Sequence, residues 1–325
     1  MGKKAKRLSL GEFASLSTKN LAKLEEAGID TIPILAHMHQ LEIKELLDTT
    51  LNKARAILTE ARNSLPDFEV ESLRASAQKE SKQEYLSSGV EDIDKLLGGK
   101  GFERGSIYEL AAEYGAGKTQ VAMSMAVRGA QEGGVVVIDT EGTWRAARLL
   151  QIGKSLGLDC DKILDNIRIT RPLSSTDQST VLRTLVEDEG VKAPEILKLE
   201  IPPVLLVVDS ITGQFRSEYP GRAVLAERQN RLAEHLKHVY IYGKKNNATV
   251  ILTNQVIHSP DIFNPGMRAV GGNVVGHACT YRIVLKKKKG TLRIMQVVDS
   301  AVLPISEAPF ALTSAGIKSA SEVDE

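Results

Sequence analysis

A short apolar run at residues 107–110 leads into Glu113-Tyr114-Gly115-Ala116-Gly117, and Lys118-Thr119 then open a stretch carrying Val121, Met123, Met125 and Ala126. No other feature of the chain constrains its fold so strongly. A buried strand, a glycine-bearing loop and a helix, in that order, build a cradle whose backbone N–H groups and helix dipole favour phosphate. Lys118 would reach the terminal phosphates of a nucleotide, and the Thr119 hydroxyl would ligate Mg²⁺. The pattern GxxxxGKT has glycine where this chain has Ala112, so the backbone there must lie at negative φ. A glycine-rich turn that merely precedes Lys-Thr is the competing reading.

At 325 residues the chain has room for one large α/β domain and a small one. Its 42% hydrophobic content is ordinary for a globular protein, and no apolar run approaches membrane-spanning length. The basic N-terminus, Met-Gly-Lys-Lys-Ala-Lys-Arg, lacks the apolar stretch of a secretory signal. Cys160 and Cys279 are too few and too scattered for a metal site or a disulfide framework. With a net charge of +1, any nucleic-acid surface must be local. Basic clusters stand at residues 3–7 and 286–289; alone, each also reads as a solvated tail or turn.

Residues 1–64 read as a small helical domain, with Leu21, Leu24 and Ala27, then Ile43, Leu46, Leu47 and Leu51, at helical spacing and breaks at Gly28 and Pro33. Residues 65–87 are polar and weakly periodic, and read as a linker. From residue 88 to 318 strands and helices alternate, with a short tail at 319–325. Apolar strands at 135–139, 167–170, 204–209 and 249–254 suit a parallel sheet covered on both faces. Segments 281–285, 292–298 and 310–313 read as antiparallel strands with turns at Lys289-Gly290 and near Pro304. The expectation is an α/β core, a mostly parallel sheet flanked by helices with antiparallel C-terminal strands, preceded by an all-helical domain.

The phosphate loop has partners in the order its chemistry requires. Asp209 ends an apolar strand at the carboxyl edge of the sheet, where open α/β folds bind ligands, and could hold Mg²⁺ through water. An Asp in that place is otherwise a turn residue or helix cap. Glu141, in Asp139-Thr-Glu-Gly-Thr-Trp-Arg145, would stand above the terminal phosphate and polarise an attacking water. Gln255, after Thr253-Asn254, puts an amide at the same edge, within reach of that phosphate.

From residue 86 to about 317 the chain resembles the archaeal RadA and eukaryotic RecA-like DNA strand-exchange recombinases. The resemblance rests on Ser88-Gly89 with Leu96-Leu97-Gly98-Gly99, EYGAGKTQ at 113–120, IDTEGTWR at 138–145 and VVDSITGQFRSEYPGR at 207–222. It continues through LAERQNRLAEHL at 225–236, TNQV at 253–256, VGGNVVGHA at 270–278 and VDSAVLP at 298–304. It implies a RecA-like P-loop core behind a helix-hairpin-helix-like domain, and a DNA-dependent ATPase active in DNA repair and homologous recombination. ATP and Mg²⁺ would be bound between protomers, driving filament formation on single-stranded DNA, homologous pairing and strand exchange. Lys118, Glu141 and Gln255 would be catalytic. Glu113, Tyr114, Gly115, Ala116, Gly117, Thr119, Gln120 and Asp209 would hold the nucleotide and its metal. Arg148 would stack on the adenine, His277 would lie near the γ-phosphate, and Asp299 to Pro304 would cap the ATP of a neighbouring protomer. Arg216 and Arg222 fall on one implied DNA-binding loop, and Phe263, Met267 and Arg268 on a second. The implied partners are single- and double-stranded DNA and further copies of the chain in filaments or rings. Location would be cytoplasmic and nucleoid-associated in an archaeon, nuclear in a eukaryote.

Some positions depart from the family. Ser15, Ser17 and Asp48-Thr49-Thr50 stand where hairpin glycines are usual, Gly276 where Ala is usual, and Ala301 where Pro is usual. The Phe-x-x-Ala clip that joins protomers aligns with Ser72-Leu73-Arg74-Ala75, so its aromatic is missing and self-association is expected to be weakened; Phe68 lies nearby. A recombinase paralogue or mediator that loads or regulates a partner is the alternative reading. A purely structural ATP-binding protein is disfavoured by Glu141, Asp209 and Gln255.

Overall fold

A computed structural model describes residues 15–27, 29, 32–65, 71–186, 199–221, 223–258 and 267–323. Two compact units divide between Ser81 and Lys82. The first holds α1 (Thr18–Glu26), α2 (Ile32–His37), α3 (Gln40–Leu46), α4 (Leu51–Asn63) and α5 (Leu73–Glu80). Leu24, Ile32, Leu35, Ile43, Ile57 and Leu58 make its apolar centre. The residues that replace hairpin glycines have local work. The Ser17 side chain caps α1 by accepting from the Asn20 N–H, and Thr50 caps α4 by accepting from Lys53. Asp48 takes the left-handed conformation at φ 49°, which Asp tolerates better than most residues. Ser15 bonds the Glu60 carboxylate through its backbone N–H and its hydroxyl.

The stretch read as a linker is not irregular throughout: α5 occupies Leu73–Glu80. Ser72 caps it by accepting from the Ala75 N–H. Polar composition hid this helix, because no residue of it is buried; a cap and the exposed Lys79–Glu71 pair are among its contacts.

The second unit begins with β1 (Tyr85–Leu86), α6 (Glu91–Leu96), β2 (Phe102–Glu103) and β3 (Ile107–Ala112). It continues through α7 (Lys118–Glu132), β4 (Gly134–Asp139), α8 (Ala146–Ser155), α9 (Cys160–Asn166), β5 (Ile167–Thr170) and α10 (Ser175–Val186). Then follow β6 (Pro203–Asp209), α11 (Gly213–Glu218), α12 (Leu225–Asn246), β7 (Thr249–His258), β8 (Met267–Ala269) and α13 (Gly272–Ala278). Last come β9 (Tyr281–Lys287), β10 (Leu292–Ser300), β11 (Ser306–Thr313) and β12 (Gly316–Ser319). The sheet runs β12-β11-β10-β9-β3-β7-β6-β4-β5, with β8 paired to β7. Strands β9, β3, β7, β6, β4 and β5 are mutually parallel along that path, and β9 to β12 are antiparallel neighbours.

Strand alternation explains why the central strands read as unbroken apolar runs. Val135, Val137, Leu205, Val207 and Ile251 pack with α7 on one face, while Val136, Ile138, Leu206, Val208 and Leu252 pack with α12 on the other. Register then brings the chemistry to one edge: Ala112 pairs with Gln255, and Asp139 with Asp209. Among the described residues no helix is long and apolar enough to cross a membrane.

Candidate nucleotide site at the carboxyl edge of the sheet

The loop from Glu113 to Gly117 joins β3 to α7, and Ala112 ends β3 in extended conformation. The missing glycine is therefore no obstacle. Gly115 and Gly117 are the positions that need theirs, at φ +72° and +106°; a Cβ on Gly117 would also stand 2.5 Å from Leu312 Cδ1. Tyr114 is 91% exposed, and contributes backbone rather than a packed ring. Lys118 Nζ donates to the carbonyls of Ala112 at 2.9 Å and Glu113 at 3.2 Å, folded back over its own loop. Burial lowers the pKa of this ammonium; Glu141 and Asp209 oppose the shift, and the like charge of Lys287 adds to it.

Asp209 lies 1% exposed at the end of β6. Burial pushes its carboxyl pKa up, against hydrogen bonds from Thr253, Trp144 and Thr119 and with the Glu141 charge adding to the rise. The Trp144 indole N–H donates to Oδ2 at 2.9 Å, and the Thr253 hydroxyl donates to Oδ1. A divalent cation fits this place: it would offset the cost of a desolvated carboxylate already linked to Thr119. Among the described residues no three acidic, His or Cys side chains cluster as a metal cage, so phosphate and water would complete the shell.

The Glu141 loop is pinned from below. Buried Asp139 accepts from the backbone N–H groups of Thr143 and Trp144, each at 3.1 Å, and from Arg171 Nε at 3.1 Å. Glu141 projects from this frame into solvent, and Gln255 Nε2 donates to its Oε1 at 3.4 Å. The other end of the same amide accepts from Arg216 Nη1 at 3.2 Å. Gln255 thus joins the carboxylate above the phosphate loop to a cation on α11.

Behind Gln255 stands a buried polar network. Asn254 donates to Glu109 Oε1 at 2.7 Å and to the Val270 carbonyl at 2.6 Å, and accepts from the Thr212 hydroxyl and the Gln255 N–H. Glu109 in turn pairs with Arg282 at 2.8 Å. Sequence reasoning named Gln255 but gave no role to Asn254, Glu109, Arg282, Trp144 or Asp139. A carboxylate amid an apolar strand, as at Glu109, was the available signal.

Other expected residues stand elsewhere. Arg148 donates to Gln120 Oε1 and to the carbonyls of Thr313 and Ser314, which ties α8 to the β11–β12 turn and fixes its guanidinium plane. His277 is exposed on α13 and lines a groove with Tyr240, Lys237 and Cys279, with no residue of its own phosphate loop. α13 packs against α12 on the face of the sheet opposite α7. Asp299 is exposed at the end of β10, and Pro304 follows on the β10–β11 turn beside Leu303 and Asp92. Arg216 is exposed on α11. Arg222 and Phe263 lie outside the described residues, as do the side chains of Met267 and Arg268.

Residues 79–320 match the family model described as Rad51. The chain is 37% identical over 314 residues to the DNA repair and recombination protein RadA of Aeropyrum pernix, spanning 91% of this chain and 92% of that protein. It is 38% identical over 331 aligned positions to the protein of the same name from Ignicoccus hospitalis, spanning 95% of each.

Proposed function

The chain belongs to the Rad51 family, and on that premise we propose that it acts in DNA repair and homologous recombination. In this reading it is a DNA-dependent ATPase that assembles on single-stranded DNA and carries out homologous pairing and strand exchange. The observation that supports it best is the shared edge: Lys118, Asp209, Glu141 and Gln255 converge there, and Gln255 also touches Arg216.

Bound Mg-ATP supplies a phosphoryl group whose transfer releases free energy. The residues of the chain do the rest. Lys118 leaves the Ala112 and Glu113 carbonyls to place its charge on phosphate oxygens. Thr119 would ligate the metal and Asp209 would hold it through water, with Trp144 and Thr253 fixing the carboxylate. Glu141 orients the attacking water and draws its proton. Gln255 senses the terminal phosphate and transmits its presence to Arg216 and the segment after β7. Arg148 offers a guanidinium plane to the base, already oriented by Gln120. His277 and the strip from Asp299 to Pro304 are assigned to the nucleotide of a neighbouring protomer. Arg216 and Arg222, with Phe263, Met267 and Arg268, are assigned to DNA.

A strand-exchange assay with the purified protein, ATP and homologous DNA tests the reading. Wild type should form joint products without any added recombinase. Glu141→Gln should still bind ATP but lose hydrolysis by at least about 10². No exchange by the wild type alone would move the chain to the mediator alternative, and wild-type turnover by Glu141→Gln would remove the role given to that carboxylate.

A further inference from the structure

Lys118 is not the only ammonium group at the phosphate loop. β9 runs parallel to β3 with Leu285 opposite Ala112, and it continues to Lys287 while β3 turns into the loop. Lys287 shares its strand face with Leu285, which packs with α7. Its side chain lies against the loop: a Cβ built on Gly115 would stand 3.3 Å from Lys287 Nζ and 3.6 Å from Cε. Alternation turns Lys286 the other way, toward Glu307 at 3.7 Å.

Two like charges beside one loop repel, and the Lys287 charge helps to depress the pKa of Lys118, after burial. A polyanion at the loop turns that repulsion into attraction for both groups. A lysine suits this position because a flexible four-carbon stem lets a point charge follow a phosphate chain. We propose that Lys287 is a second phosphate-binding cation of the site, reaching the phosphate chain of the nucleotide from the β9–β10 hairpin. The inference rests on the nucleotide-binding reading of the loop.

Equilibrium titration with the fluorescent analogue mant-ATP, in Mg²⁺ without DNA and at several salt concentrations, tests it. Lys287→Ala should raise Kd by about three- to tenfold and flatten its salt dependence, as expected for loss of a partly screened cation. Lys287→Arg should restore most of the affinity, and Lys286→Ala should bind as wild type does. Wild-type Kd and salt slope in Lys287→Ala, or an equal loss in Lys286→Ala, would overturn the assignment and leave the loop a nucleotide site. A wild type that bound no mant-ATP would overturn both readings together.

Discussion

Trp144 carries a task that its residue type conceals. It is the chain's single tryptophan, fully buried, and its indole N–H is spent on the Asp209 carboxylate. A buried carboxylate that loses a donor keeps the cost of desolvation without the compensation. Trp144→Phe preserves most of the apolar volume but deletes that hydrogen bond. It should lower unfolding free energy by about 1.5–3 kcal/mol, the range for hydrogen bonds to charged groups. Urea denaturation followed by circular dichroism measures it, since the variant has no tryptophan fluorescence. Stability equal to wild type would mean that Thr253 and Thr119 suffice to hold Asp209. Glu141, two residues from Asp139, shows the converse: its place at the end of a strand was legible from spacing, whereas the Asp139 frame beneath it became visible only once the Thr143 and Trp144 amides were seen to turn back on it.

At the scale of elements, α5 bears on the segment that aligns with the family's clip between protomers. Alignment puts Ser72 at the place of a clip aromatic, yet in the fold Ser72 is the N-cap of Leu73–Glu80, and Leu73 beside it is 85% exposed. Ser72→Phe therefore does two things at once: it adds an apolar group and removes a cap worth about 1 kcal/mol. Ser72→Asn keeps a capping side chain and should leave α5 intact. Hydrogen exchange at residues 74–76 should be unchanged in Ser72→Asn and roughly fivefold faster in Ser72→Phe, the factor that 1 kcal/mol implies. Equal protection in both variants would show that the helix does not depend on its cap. Light scattering of the same two proteins without nucleotide then separates the effect of the added ring, which should promote self-association, from that of the lost cap.

For the molecule as a whole, His235 links acidity to stability. It is fully buried on α12 beside Phe215 and Gln178, and burial pushes its pKa from 6.5 down to about 3, with His238 adding like charge. The unfolded chain therefore binds a proton that the folded chain refuses. Stability from this group is present in full above about pH 6.5 and is lost as pH falls toward 3. Between pH 7 and pH 5 wild type should lose about 2 kcal/mol more than His235→Gln, read from urea midpoints at both pH values. Identical pH dependence in the two proteins would exclude His235 as the source. The phosphate loop, the apolar strands and the acidic or amide strand ends were determined by sequence alone, because each is a local pattern: a glycine spacing, a period, a residue at a boundary. The fold alone decided that Asp139 pairs with Asp209 and Ala112 with Gln255, and that His277 shares a groove with Lys237 and Tyr240. It also decided that Arg282, Glu109 and Asn254 meet although Arg282 lies 173 residues from Glu109. Such contacts depend on strand order, and strand order is set by how the whole sheet buries both of its faces, which no local pattern records.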